Sequence, residues 1–366
     1  VRKNWQTSKL GEQVTLQRGF DLPKKHRLKG NIPIISSSGV TGWHSESKIM
    51  GPGVVTGRYG TVGKVFYSED EFWPLNTTLF VKDFKSNHPK FIYYLLQTIN
   101  YNSINAKSSV PGINRNDLHE IEIKIPPFDE QLEISRFLSD LDNKIELNNQ
   151  INDTLEEMAM TLYKHWFFDF GPFQNDEFVE AELGMIPKGW EVKTLGDVSN
   201  LLDSKRVPLS RMEREKREGI FPYYGATSIM DYVDDYIFDG TYVLMGEDGS
   251  VMKDDCTPYI QYISGKFWVN NHAHILEGKN GISTEWLKTF LETLNVSPIV
   301  TGAVQPKINQ RNLKSVKFLV PDDETKDRFN NKLTSLFKKV LANEKENDYL
   351  VKIRDYLLPK LLSGDI

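Results

Sequence analysis

The stretch DEQLEISRFLSDLDNKIELNNQINDTLEEMAMTLYKHWF, Asp129 to Phe167, decides how the rest of the chain reads. Its apolar residues Ile134, Leu138, Leu141, Ile145, Leu155 and Leu162 step by alternating fours and threes. That is the seam of a long amphipathic helix packed on another helix. Adding 195 to each number gives Phe329, Leu333, Leu336, Val340, Leu350 and Leu357, the same seam in the same register. Asn148 and Asn152 interrupt the first seam, and Asn343 and Asn347 interrupt the second. A solvated surface helix needs no such matching. Two helices packed on each other do, and polar seam residues fix register at some cost in stability. Antiparallel pairing would bring the four asparagines together, flanked by Leu155 and Leu350.

The globular parts before each helix repeat as well. Trp5, Leu10 and Gly11 recur as Trp190, Leu195 and Gly196, and Val14 is answered by Val198. Gly57-Arg58-Tyr59-Gly60-Thr61-Val62 recurs as Gly246-Glu247-Asp248-Gly249-Ser250-Val251. Trp73-Pro74-Leu75-Asn76 recurs as Trp268-Val269-Asn270-Asn271, and Pro111-Gly112-Ile113-Asn114 as Pro306-Lys307-Ile308-Asn309. Each match alone is weak; their common order, followed by the matched helix, makes a duplication. The reading along the chain is a mixed domain at 1–128, a long helix at 129–170, a linker at 171–183, a second mixed domain at 184–321 and a second long helix at 322–366. Within the first domain a helix is expected over Pro89–Asn100, with Phe91, Tyr94 and Leu95 on one face, and a strand over Ile121–Ile125.

The 366 residues suit two or three domains, and 39% hydrophobic residues are ample for buried cores. The single Cys256 excludes a disulfide framework and any multi-cysteine metal site. The N-terminal residues lack an apolar signal region and no run reaches transmembrane length, so a soluble cytoplasmic protein is expected. The net charge of −5 is unevenly spread: residues 1–128 hold 17 Lys/Arg against 10 Asp/Glu, and 129–183 hold 3 against 14. Residues 184–321 hold 16 against 17, and 322–366 hold 9 of each. A basic first domain suits phosphate; an acidic helix faces water or a basic protein partner.

Several enzyme motifs fail on inspection. Pro126-Pro127-Phe128 is similar to the end of an amino-methyltransferase motif, but Ile125 stands where the polar residue belongs. Gly57-x-x-Gly60-x-x-Gly63 runs into a β-like segment, without the helix N-terminus a phosphate site needs. Pro321-Asp322-Asp323-Glu324-Thr325-Lys326 places its acids together at a helix start, where they cap it. His272-Ala273-His274 has no third ligand nearby in sequence, so a structural or DNA-facing role is preferred to metal. No catalytic constellation remains, and neither a catalytic residue nor a metal ligand is assigned.

Two related globules, each followed by a long helix, resemble the specificity subunit of a type I restriction–modification enzyme. The resemblance rests on the Trp5…Leu10-Gly11-Glu12 opening and its copy at Trp190…Leu195-Gly196-Asp197, the two glycine turns, and the Pro111–Asn114 and Pro306–Asn309 pair. The helix opening Pro127-x-x-Glu130-Gln131-x-x-Ile134 completes it; Pro321-x-x-Glu324-Thr325 lacks the Gln, a minor departure. The implied fold class is α+β and internally duplicated, with two mixed α/β target-recognition domains joined by two long antiparallel coiled-coil helices. The implied function is non-catalytic recognition of double-stranded DNA, each domain reading half of a bipartite site. The helices set the spacing and dock methyltransferase subunits, and a restriction/translocase subunit joins the complex. S-adenosylmethionine, ATP and Mg are expected on those partners and not on this chain. The competing reading is a coiled-coil adaptor with two protein-binding globules and no nucleic acid.

Duplication also sorts the candidate DNA contacts. Residues alike in both halves suit scaffold or phosphate contact: Asn76, Asn114, Asn271 and Asn309, beside the paired glycines and prolines. Residues that differ inside matched loops suit base reading: Arg58, Tyr59, Lys107, Ser108 and Arg115 in the first half. Their counterparts are Glu247, Asp248, Gln305, Lys307, Gln310 and Arg311 in the second.

Overall fold

The computed structural model describes residues 4–101, 112–302 and 304–366. They form two compact units, Val1–Leu147 with Glu346–Ile366, and Asn148–Lys345. Both boundaries fall inside long helices, Phe128–Phe167 and Asp323–Ser363. The expected divisions at 128 and 321 separated globule from helix. The observed units do not, because the seam residues at each helix end enter the globular cores.

In the first unit the strands are β1 (Gln6–Lys9), β2 (Thr15–Arg18), β3 (Ile32–Ser36), β4 (Gly39–His44), β5 (Gly53–Gly57), β6 (Val65–Ser68), β7 (Trp73–Pro74), β8 (Thr78–Asp83) and β9 (Glu122–Ile125). An antiparallel sheet runs β2-β8-β5-β6, a second runs β4-β3-β7 with β3 and β7 parallel, and β1 pairs with β9. All five residues of β5 are buried, which is why Val54-Val55-Thr56 reads as a continuous β-branched run. The helix Pro89–Gln97 buries Phe91, Tyr94 and Leu95 and stops at Thr98, whose hydroxyl caps the Leu95 carbonyl. These side chains share a core with Leu10, Val14, Leu16 and Leu79, and with Ile134, Leu138 and Leu362 of the two long helices. Asp142 pairs with Arg354 at 3.0 Å and Lys144 with Glu346 at 3.0 Å, so the helix segments run antiparallel here. The Tyr94 hydroxyl donates to Asp142 at 2.6 Å, tying the globule to that ion pair.

Gln131, 2% exposed, is the clamp between globule and helix. Its Nε2 donates to Asn87 Oδ1 at 2.9 Å and to the Pro126 carbonyl at 3.0 Å, and its Oε1 accepts from the His88 amide at 2.9 Å. In the second unit Lys326 stands at that position, and its ammonium pairs only locally, with Asp323. The matching amide, Ser283 N–H, is instead taken by Asn330 Oδ1 at 3.1 Å, one turn further along the helix.

The second unit contains β10 (Phe178–Ala181), β11 (Gly184–Pro187), β12 (Glu191–Thr194), β13 (Ser199–Leu201), β14 (Glu218–Tyr224), β15 (Ile229–Val233), β16 (Phe238–Gly246), β17 (Ile260–Val269), β18 (Ala273–Gly278), β19 (Val300–Thr301), β20 (Lys307–Ile308) and β21 (Lys317–Val320). One sheet runs β13-β18-β16-β17-β14-β15. Its first three strands repeat β2-β8-β5, and the pair β12–β21 repeats β1–β9. Even single bonds recur: Leu10 N–H donates to Ile121 O at 2.8 Å and Leu195 N–H to Val316 O at 2.7 Å. The segment 171–183, expected as a linker, contains β10, which pairs with β11, and Phe173 is buried against Trp166 and Trp190. Phe167, Trp286 and Phe329 continue this aromatic cluster, which seats both long helices on the second globule. Asn343 Nδ2 donates to Asn152 Oδ1 at 2.8 Å, and Asn148 is fully buried in the same unit. Asn347 belongs to the first unit and is half-buried there. Leu155 and Leu350 are half-buried in their respective units. Among the described residues no helix is long and apolar enough to cross a membrane.

Candidate nucleic-acid interface

The glycine turn after β5 is closed by backbone. A Cβ on Gly57 would lie 2.0 Å from Thr61 O, and one on Gly246 2.4 Å from Ser250 O, so both positions exclude a side chain. Gly60 and Gly249 follow at φ +77° and +72°, the left-handed region that glycine enters freely. The turn is pinned to two neighbours. Arg58 N–H donates to Thr77 O at 2.9 Å and Ile113 N–H to Arg58 O at 3.0 Å; Glu247 N–H to His272 O and Ile308 N–H to Glu247 O repeat the pattern at 2.8 and 2.9 Å. Arg58, Tyr59 and the helix at Arg115 are thereby held together, as Glu247, Asp248 and the helix at Gln310 are in the second domain.

In the first domain the Arg58 guanidinium lies 4.5 Å from the centre of the Tyr59 ring, and its Nε donates to Ile113 O at 3.2 Å. Arg18, Arg58, Leu79, Asn114 and Arg115 line one cleft. Sequence reasoning missed Arg18, because nothing in the motif around it repeats. Asn114 spends Oδ1 on the Asn116 amide at 3.0 Å as a helix cap, and Asn309 does the same to Asn312 at 2.8 Å. These two asparagines are cap residues. Asn76 Nδ2 donates to Asp21 Oδ1. Lys107 and Ser108 lie outside the described residues.

The second domain differs in kind. His274 is completely buried, with Nδ1 2.6 Å from Asp203 Oδ2 and Nε2 2.7 Å from the Ile308 carbonyl. Both ring nitrogens face oxygen acceptors. Arg206 donates to Glu247 at 2.6 Å and to the Ala273 carbonyl at 2.8 Å, and lies 3.5 Å from Asp203. Lys307 pairs with Glu247 at 3.1 Å and Gln310 donates to Asp203 at 2.7 Å. Burial alone would raise both carboxyls. For Asp203 the His274 hydrogen bond and charge outweigh it, and for Glu247 the bonds from Arg206 and Lys307 do, so both sit below the ordinary range.

This arrangement corrects two expectations. Glu247 is held by Arg206 and Lys307, and Gln310, exposed at the surface, donates to Asp203, so both carry internal partners where free side chains were expected. His274 does have carboxylate neighbours: ligand atoms of Asp203, Glu247 and His274 lie within 4.8 Å of one another. Those atoms are already engaged by Arg206, Lys307, Gln310 and the imidazole itself, so the group is an internal ion network and does not fit a metal. Asp248 bonds His272 at 2.6 Å, while Asn271, Gln305 and Arg311 are exposed.

Two copies of one mixed globule, each completed by segments of two long helices, define a duplicated specificity architecture. The chain belongs to the type I restriction modification DNA specificity domain family, whose model matches residues 2–157 and 187–351. It therefore carries two DNA specificity domains. Specificity subunits of these systems are non-catalytic, and the catalytic activities lie on other subunits. The chain is 28% identical over 304 residues to the type I restriction enzyme MjaIX specificity subunit of Methanocaldococcus jannaschii, covering 76% of this chain and 69% of that one. It is 25% identical over 365 residues to the HindI specificity subunit of Haemophilus influenzae, covering 76% and 77%. Its fold is similar to the crystal structure of a type I restriction-modification S subunit from M. genitalium, with TM-score 0.61 and 20% identity over 99% of this chain and 97% of that one. The adaptor alternative has no support from these likenesses.

Proposed function

We propose that this chain selects the DNA site of a type I restriction–modification complex, with each domain reading one half of a bipartite duplex sequence. The observation that carries this reading is the strand-by-strand equivalence of the two domains, each within one matched span of the DNA specificity model. In this reading the paired helices set the spacer, and methyltransferase subunits bearing S-adenosylmethionine dock on them. An ATP- and Mg-dependent restriction subunit completes the complex. An open groove in the second unit supports docking: Met158, Leu162 and Leu336 line it beside Thr161, His165 and Lys332. Arg58, Tyr59 and Arg115 contact DNA in the first domain, with Lys107 and Ser108 in the adjoining segment. Asn271, Gln305 and Arg311 contact it in the second.

The test is sequencing of methylated DNA from cells carrying this chain with the methyltransferase subunit of its own system. A split methylated motif is expected. Exchange of residues 1–128 for the equivalent domain of another such subunit should rewrite one half only. Methylation of a continuous motif, or rewriting of both halves, would refute the reading.

A further inference from the structure

The register of the two sheets makes the two clefts superimposable residue by residue. In the first domain Gly57 pairs with Thr78, Thr56 with Leu79, and Leu79 with Arg18. In the second, Gly246 pairs with Ala273 and Met245 with His274, and Leu201 pairs with Leu276. Two residues beyond that last pair, Asp203 faces His274. Arg18 thus corresponds to Asp203, Arg58 to Glu247, Leu79 to His274, Asn114 to Asn309 and Arg115 to Gln310. At two of these positions the charge is inverted.

The consequence is chemical. The first cleft is lined by three guanidinium groups and no carboxylate. Among the described residues no carboxylate lies in ion-pair range of Arg18, Arg58 or Arg115. Among the described lining residues the one acceptor side chain, Asn114, has committed its Oδ1 to a helix cap. Arg58 is also immobilised, with Nε tied to the Ile113 carbonyl and Nη2 to the Tyr59 hydroxyl at 3.3 Å, so its remaining guanidinium donors cost little further ordering on binding. The equivalent position in the second domain is filled from within. Arg206 spends its donors on Glu247 and on the carbonyls of Asp203, Asn271 and Ala273.

A cleft that offers donors only accepts an edge that offers acceptors only. Guanine presents N7 and O6 in the major groove with no donor; adenine and cytosine each present an amino group, and thymine a single acceptor with a methyl. We propose that Arg18, Arg58 and Arg115 form the base-reading cleft of the first domain and that it takes the major-groove edge of guanine. The same place in the second domain is a closed ion network that reads no base, so its half-site is read by neighbouring exposed residues. This inference rests on the DNA-reading function proposed above.

The test uses the full chain with its methyltransferase subunit and a pool of duplexes with randomised sequence, recovered by binding and sequenced. The wild type should recover a split motif with guanine in the half read by the first domain. Arg18→Ala and Arg18→Lys should both relax one guanine position, by about 5- to 150-fold in discrimination, with the remaining positions kept. The Lys variant is decisive, because it keeps the charge and loses the planar fork. Glu247→Gln should leave the second half-site unaltered. An unchanged motif with uniformly weaker binding in Arg18→Ala, restored by Lys, would make Arg18 a phosphate contact and overturn the proposal. A rewritten second half-site in Glu247→Gln would overturn the closed network. If the wild type recovers no split motif, the proposed function itself fails; if it recovers one that both Arg18 variants leave intact, only this inference does.

Discussion

Replacing Gln131 by Leu should open the junction between the first globule and its long helix while leaving the second unit alone. The substitution keeps volume and removes three hydrogen bonds at a side chain 2% exposed. The His88 amide, the Asn87 side chain and the Pro126 carbonyl lose their partner. A buried group left unsatisfied costs about 1–3 kcal/mol, and three such groups with partial relaxation give about 3–4 kcal/mol. Gln131→Glu sharpens the test. Its carboxylate still accepts from His88, but its other oxygen then faces two acceptors, Asn87 Oδ1 and Pro126 O. The Glu variant should therefore be weakest at neutral pH and recover partly in acid, where a protonated carboxyl donates one bond. Native-state hydrogen exchange read by peptide resolves each region without assuming two-state unfolding of the whole chain. Peptides over 87–97 and 128–140 should lose protection and those over 284–291 should not. A loss below about 1 kcal/mol, or an equal loss in both units, would refute the clamp.

In the Asn152–Asn343 pair, Asn343→Leu alone should cost about 1–3 kcal/mol, because it strands the partner's oxygen; the double Leu variant should recover most of that in a double-mutant cycle. Additive losses would mean that the 2.8 Å bond carries no coupling. The lowered carboxyls of Asp203 and Glu247 stabilise the second unit above the unfolded value near ~4 and lose that contribution as pH falls through their lower folded values. They face Arg206, Lys307 and His274. Acid unfolding monitored on peptides of β18 should flatten below about pH 4 in Asp203→Asn, and an unchanged profile would remove Asp203 from the acid response. If the helices set the half-site spacing, four residues inserted near Asn148 and four near Asn343 lengthen each by ~6 Å. The methylated spacer should then grow by one or two base pairs, at ~3.4 Å each. An unchanged spacer in an active variant would show that the helices join the domains without measuring between them.

The duplication was legible because long-period features survive in sequence: a seam of six apolar residues and two asparagines, repeated at one offset. Leu10/Leu195 and Gly57/Gly246 were legible for the same reason, since the leucines are fully buried and the glycines leave no room for a side chain. The missing glutamine of the second copy looked minor and is structural, with Lys326 standing where Gln131 does in the first. The amide that Gln131 serves in one unit is served by Asn330 in the other, a solution one turn away that alignment by motif cannot find. The segment after the first helix was read as a linker for its acidity, yet Phe178 and Val179 interleave with those acids and form a strand. Least legible was the network at Asp203, Glu247 and His274. Its members come from three separated segments, and only the β13–β18–β16 register brings them together.

That register also changes which residues count as equivalent, and with it the logic of sorting by likeness. Residues alike in both halves were expected to include phosphate contacts, but Asn114 and Asn309 share a cap, which fully explains their identity without DNA. Likeness here marks folding constraints. Difference is the better guide to reading, but only where the differing side chain is free: Glu247 differs from Arg58 and is bound by Arg206 and Lys307. The informative positions are those that differ between domains and carry no internal partner. Among the described residues Arg18 meets both conditions although no motif marks it, and Arg115 meets them opposite an engaged Gln310. A duplicated scaffold can hold its strands in one register while the charge at a single cleft inverts, because the sheet bonds involve backbone only. Such an inversion alters what a domain accepts without disturbing how it folds.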